Sequence, residues 1–256
     1  VRGPVLVALV GAAGVFAATA ALLSTSGSGE ASVGELALVD PAAIAPAAAP
    51  TAVAAAEVPG GVTASLDRPE AAAVWVESTA ARVGIGQVAV AAYANASLRI
   101  GVEQPGCNLE WTTLAGIGWV ESQHGTLGGN EVLHDGTTRE PILGPALDGS
   151  EGVGAIRPGA DDTAAHGNTD WDHAVGPMQF IGSTWSRWGS DGDGDGVADR
   201  GDIDDAAYSA GRYLCGDGYD LATGTGWTAA IFAYNHSDAY VTSVLAAANT
   251  YAESSG

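Results

Sequence analysis

The sequence predicts a mostly α-helical domain with long irregular loops. Three observations predict it: a series of segments bounded by helix start and stop residues, no run that reads as a sizeable sheet, and a stretch over 126–172 that is rich in Gly, Asp and Pro with little periodicity. The first helix is expected from Asp67-Arg68-Pro69-Glu70, an N-cap, an early proline and a capping acid, to Arg82, with a stop at Gly84. A second runs from Gln87 to Arg99 and ends at Gly101, and a third starts on Asn108 as N-cap and ends at Glu121. Shorter helices follow over Ser183–Trp188, Asp205–Leu214, Thr228–Tyr234 and Asp238–Tyr251. The irregular 126–172 stretch is too long for a plain connector and is expected to line a site. There is no internal repeat.

Composition narrows the chemistry. The chain has 256 residues, and its nine basic residues, all of them Arg, face thirty acidic ones, for a net charge of −21. Without Lys there is no phosphate-loop or Schiff-base lysine. Without a basic patch there is no footprint for nucleic acid. The only Met is Met178, so Val1 reads as an alternative start or as a point inside a longer chain.

The N-terminal region reads as targeting and tether. Residues 1–23 place Arg2 before an uncharged run from Val5 to Leu23, about the roughly 20 residues that span a bilayer. This reads as a signal peptide with Ala18-Thr19-Ala20 at its cleavage site or as an uncleaved anchor, with a buried core helix as the lesser alternative because the segment has no polar face. Residues 24–66 are Ser/Gly-rich, then Ala/Pro-rich, with Pro41, Pro46, Pro50 and Pro59, and read as a disordered linker. The folded domain is expected over 67–256, secreted or held at the cell envelope, monomeric, and touching a membrane only through its N-terminus.

In an exported chain the two cysteines, Cys107 and Cys215, suggest a disulfide, with two buried thiols as the alternative. A bridge over this separation would stabilise by about 4–5 kcal/mol in the chain-entropy model. Two cysteines are too few for a structural zinc site, and the five histidines lack metal-ligand spacing.

Glu121 ends the nearly uncharged run that starts at Trp111. Apolar neighbours and the negative end of a helix dipole both disfavour its charge, which suits a general acid near neutral pH. Taken alone, a Glu at a helix end is more often a solvated surface residue. Ser122 beside it could bond the carboxyl or a substrate.

Two further runs accompany Gly118-Trp119-Val120-Glu121-Ser122. One is Gly176-Pro177-Met178-Gln179-Phe180-Ile181-Gly182-Ser183-Thr184-Trp185, and the other is Ala233-Tyr234-Asn235-His236-Ser237-Asp238-Ala239-Tyr240-Val241. In order and spacing, over roughly residues 85–251, they resemble the lytic murein transglycosylases with a lysozyme-like domain. The resemblance is nearest to exported actinobacterial members related to the membrane-bound lytic transglycosylase B group. It implies a lysozyme-like helical fold with groove-lining loops. It also implies Glu121 as catalytic acid, with Ser122, Met178, Gln179, Tyr234 and Asn235 binding the sugar. From the residues alone, Tyr234 reads equally as a core aromatic and Gln179 as a buried amide satisfied by backbone. Family members commonly carry Pro where this chain has Gly182.

A separate acidic motif lies over 191–202. Asp191, Asp193, Asp195, Asp199 and Asp202 occupy positions one, three, five, nine and twelve of an EF-hand-like loop, with Gly196 at six and the Val197 carbonyl at seven. That set predicts a structural calcium ion, weakly held because Asp202 replaces the usual bidentate Glu. Some of the resembling enzymes hold calcium in such a loop, and a solvated acidic turn is the alternative. No cofactor is expected for the chemistry. The implied activity is cleavage of the MurNAc-β-1,4-GlcNAc bond of peptidoglycan with 1,6-anhydro ends. The alternatives are a hydrolytic muramidase, a non-catalytic wall-binding module, and a calcium-dependent adhesin that leaves the groove motifs unexplained.

Overall fold

The computed structural model describes residues 68–150 and 154–255. The targeting segment, the linker and Asp67 lie outside the described residues. Eight helices follow in order: α1 (Ala73–Val83), α2 (Gln87–Glu103), α3 (Trp111–Ser122), α4 (Ala160–His166), α5 (Gly182–Trp188), α6 (Ile203–Cys215), α7 (Gly224–Tyr234) and α8 (Asp238–Ser255). Between them lie β1 (Leu143–Ala146) and β2 (His173–Val175), an antiparallel pair. The fold is mostly α, with irregular chain over much of the 126–172 stretch. Among the described residues no helix is long and apolar enough to cross a membrane.

The core is built around α3. Every residue from Trp111 to Gly118 is buried, so this helix has no solvent face in its first two turns. It packs against α8 on one side and α2 on another, and α2 in turn packs on α6. Trp111, Trp227 and Tyr93 are fully buried anchors among many alanines. Trp75 meets Trp111 edge to face, with ring centroids 5.6 Å apart, and the Trp227 indole donates to Thr113 Oγ1 at 3.0 Å.

Two glycines in α3 allow this closeness. A Cβ on Gly116 would lie 2.8 Å from the Val244 carbonyl oxygen of α8. A Cβ on Gly118 would lie 2.0 Å from the Tyr93 hydroxyl. That hydroxyl bonds His124 Nδ1 at 3.1 Å, and His124 Nε2 lies 2.9 Å from the Tyr251 hydroxyl. A buried Tyr–His–Tyr chain thus ties α2 and α8 to the end of α3, and burial pulls the His124 pKa down to about 4.

Cys107 and Cys215 are joined, with their Cα atoms 5.6 Å apart. The bridge fastens the loop before α3 to the end of α6, where Leu221 N–H also donates to the Cys107 carbonyl at 2.8 Å.

Several element boundaries differ from expectation. Asn108 does not cap α3; it takes the left-handed conformation (φ 52°), tolerated best by Asn, and its amide donates to Asp220 at 2.8 Å, leaving Glu110 as the cap. α2 continues through Gly101, helped by an Arg99–Glu103 pair at 3.0 Å. α6 starts two residues before Asp205 because Asp202 accepts from the Asp204 and Asp205 N–H groups. α7 starts earlier at Gly224, since the Thr223 hydroxyl caps it. The Gly- and Asp-rich stretch hides α4 and β1, and β2 follows directly after it; all three are too short to show a period.

Gly118→Ala is expected to cost about 1–3 kcal/mol, because the Tyr93 hydroxyl must move and its bond with His124 goes with it. Gly101→Ala, where a Cβ meets nothing, is expected to be neutral or stabilising by up to about 1 kcal/mol. Thermal melting of the two variants checks the contrast.

Candidate active site

Glu121 is the penultimate residue of α3 and is partly buried. The chain leaves the helix through Gln123 and His124, both left-handed, and the His124 N–H closes on the Gly118 carbonyl at 2.8 Å. The carboxyl faces the start of α8, where the Tyr240 hydroxyl donates to Oε1 at 2.6 Å. Burial raises its pKa to about 7, and the Tyr240 bond opposes that rise by favouring the charged form. The carboxyl is therefore poised to give up a proton near neutral pH. Tyr240 and Tyr234 stack in parallel, 6.5 Å apart, and both phenols are held neutral, their pKa values raised by burial and by Glu121.

Tyr240 was not singled out from the sequence, although it lies in the run from Ala233 to Val241. The signal available was its position in the first turn of the last helix, five residues after Asn235 of the Ala-Tyr-Asn run.

The 176–182 turn lies against the end of α3. Ser122 Oγ donates to the Pro177 carbonyl at 2.6 Å and accepts from the Gly125 N–H at 2.7 Å. The Tyr234 hydroxyl donates to the Met178 carbonyl at 2.8 Å. Gly176 has φ 82°, and a Cβ there would lie 1.7 Å from the Arg200 carbonyl oxygen, so only glycine fits. Gln179 is itself left-handed (φ 50°), a strained state for a residue with a side chain, and its amide donates to the Gly176 carbonyl at 2.8 Å.

These contacts revise the expected roles. Ser122 is 1% exposed with its hydroxyl engaged on both sides, so it positions the turn and offers nothing to a ligand. Met178 is 0% exposed and belongs to the core, and its carbonyl is bonded to Tyr234. Tyr234 and Asn235 are both buried, with Tyr234 a core aromatic that carries a polar tip. Gln179 is only partly buried and stands beside Gly144 of β1, so the irregular stretch does adjoin the turn.

Gly182 is fixed by its local surroundings. A Cβ there would lie 1.9 Å from Asp162 Oδ1, and Asp162 is paired with the buried Arg200 at 3.0 Å. The Gly182 N–H also points to Asp172 Oδ2 at 3.3 Å, and the other oxygen of Asp172 meets His166 at 3.1 Å.

The acidic loop is built differently from a twelve-residue EF-hand. Carboxylate oxygens of Asp191, Asp193 and Asp205 all lie within 4.8 Å of one another. Asp205, not Asp202, closes the loop, accepting from the Gly192 N–H at 2.5 Å and the Asp199 N–H at 2.7 Å. Asp202 stands outside that cluster and caps α6, with Oδ1 2.7 Å from the Asp204 nitrogen. Asp195 and Asp199 accept from the Val197 and Gly201 N–H groups, and Val197 is exposed. Burial and crowding among acids raise Asp202 to about 6 and Asp204 to about 7. Arg99 donates to the Asp191 carbonyl at 3.1 Å, and Arg68 lies 3.6 Å from its carboxylate.

Residues 160–231 match the family model described as the transglycosylase SLT domain. That span runs from α4 into α7 and includes the 176–182 turn and the acidic loop, with Glu121 before it and Tyr234 after it. No curated protein matches the chain. Among solved structures the chain is similar to the Escherichia coli lytic transglycosylase Slt35 in complex with bulgecin A, at 15% identity and TM-score 0.43, covering 70% of this chain and 78% of that one. It is similarly placed against the same enzyme in complex with calcium, at 14% identity, TM-score 0.43 and the same coverage.

Gly182→Pro is expected to destabilise the protein by about 2 kcal/mol, through collision with the Asp162–Arg200 pair and loss of the N–H that faces Asp172. Denaturant unfolding checks this; an unchanged midpoint would mean that Asp162 does not fill the space beside Gly182.

Proposed function

We propose that the protein is a lytic transglycosylase of lysozyme-like fold that cleaves the MurNAc-β-1,4-GlcNAc bond of peptidoglycan at the cell envelope or outside the cell. The observation that carries the reading is the carboxyl of Glu121, raised to about 7 by burial and held by Tyr240 beside a turn that falls inside the transglycosylase SLT match. A protonated Glu121 gives its proton to the glycosidic oxygen as the bond breaks. The acetamido oxygen of the muramic acid traps the positive charge at C1. Glu121, now ionised, takes the proton of the C6 hydroxyl as that oxygen closes on C1 and displaces the acetamido oxygen, and a 1,6-anhydro end forms without water. Tyr240 keeps the carboxyl oriented in both states, and Gln179 offers its amide group to the acetamido sugar.

The muramidase alternative needs a second carboxylate near the first. The buried acids of the 126–172 stretch are engaged elsewhere, Asp162 with Arg200 and Asp172 with His166, which supports internal attack over hydrolysis.

Glu121→Gln is expected to keep the fold and lose nearly all lysis of isolated cell walls, since an amide cannot donate the proton. Wild-type activity is expected to fall as pH rises through about 7, where the acid loses its proton. Muropeptides released by the wild type are expected to be about 18 Da lighter than hydrolysed ones, by one water per cleavage. Reducing muramic ends as the main product would select the muramidase, and full lysis by Glu121→Gln would end the assignment.

The acidic loop is proposed to hold a structural calcium ion through Asp191, Asp193 and Asp205, hard oxygen donors of the kind calcium takes. Crowded carboxylates with raised pKa values are what a divalent cation relieves. Calcium is expected to raise the melting temperature and a chelator to lower it, by preferential binding to the folded state. Asp193→Ala with Asp205→Ala is expected to remove the shift, and a melting curve indifferent to calcium in the wild type would leave the loop a plain acidic turn.

A further inference from the structure

Trp119 has an unusual place. It lies on α3 two residues before Glu121, so the two side chains leave the helix in different directions. Its neighbours Gly116, Ile117 and Gly118 are fully buried, yet Trp119 is 46% exposed. It borders a cleft of about 380 Å³ between the α1–α2 turn and the loop 123–132, within the size range of small-ligand sites. Glu121 does not line this cleft.

The indole has a firm backing. Its ring lies 5.8 Å from that of His124, which is 6% exposed and held on both nitrogens by the hydroxyls of Tyr93 and Tyr251. The far wall of the cleft is also fixed. Asn130 Oδ1 accepts from the Glu131 and Glu140 N–H groups at 2.9 and 3.1 Å, and its amide donates to the Glu140 carbonyl at 2.9 Å. Gln87 and Gln123 present exposed amides at the rim.

Charge narrows the ligand. The cleft contains neither Lys nor Arg, and its one acid, Glu131, is paired with Arg139 on the loop. In a chain of net charge −21 this setting disfavours an anion. A flat aromatic face with amides around it matches a pyranose, whose C–H face packs on the ring while hydroxyl and acetamido groups bond the amides.

We infer that the Trp119 cleft is a second saccharide-binding site, taking a neutral N-acetylated hexosamine of the glycan away from the catalytic carboxyl. The inference rests on the peptidoglycan reading for its choice of sugar. A glycan strand extends beyond a single groove, and two sites on one domain raise its residence on the polymer through effective concentration.

The test is a titration of full-length Glu121→Gln protein with tri-N-acetylchitotriose, followed by the NMR signals of the tryptophan indoles and backbone amides. The expected result is a shift of the Trp119 indole and of the Gln87 and Gln123 amides, saturating together. Adding Trp119→Ala should weaken binding at the cleft about tenfold or more while shifts around Gln179 persist. Trp119→Tyr, which keeps an aromatic face, should restore part of it. Shifts at Trp119 with none near Gln179 would support the cleft and count against the catalytic reading. Shifts near Gln179 alone, or none anywhere, would overturn the cleft.

Discussion

The close approach of α3 to α8 is the constraint on which the rest depends. It is possible only because Gly116 places no atom between the helix and the Val244 carbonyl. The approach sets the start of α8 against the end of α3, where the Tyr240 hydroxyl finds the Glu121 carboxyl. A wider separation would leave that carboxyl either hydrated, with an ordinary pKa, or buried without a partner. Burial and one strong hydrogen bond act in opposite directions on the same group, and their balance leaves it near 7. The Tyr93–His124–Tyr251 chain holds the same joint from inside, with the imidazole kept neutral by burial.

The second fixed body is the 176–182 turn. It is bonded from α3 through Ser122 and from α7 through Tyr234, and it accepts Arg200 against Gly176. Ser122 and Tyr234, which resemble ligand contacts, thus serve as fasteners. The Asp162–Arg200 pair, which fills the space beside Gly182, joins α4 to the end of the acidic loop. That contact links the cation-binding candidate to the region beside the 176–182 turn.

Much of this was legible in the sequence. Helix stops at Gly84 and starts at Gln87 follow local rules, and the disulfide followed from cysteine count and context. Glu121 stood out only in company: an acid at a helix end reads as a surface residue by itself, and the two later runs that resemble the transglycosylases drew attention to it. What was not legible depends on distant contacts. Asn108 reads as a cap until Asp220 claims its amide. Asp202 reads as a loop ligand until α6 is seen to start on it, and Asp205 has no place in a twelve-residue pattern. Tyr240 and the exposure of Trp119 required knowing how α8 and the α1–α2 turn pack.

The central claim is that Glu121 is protonated near neutral pH because the fold buries it against Tyr240. A carbon-13 NMR titration of the Glu121 side-chain carboxyl measures this directly. The account predicts a midpoint near 7, moving higher in Tyr240→Phe as the bond that favours the charged form is lost. A midpoint near the ordinary value of about 4.3, unmoved by Tyr240→Phe, would contradict it.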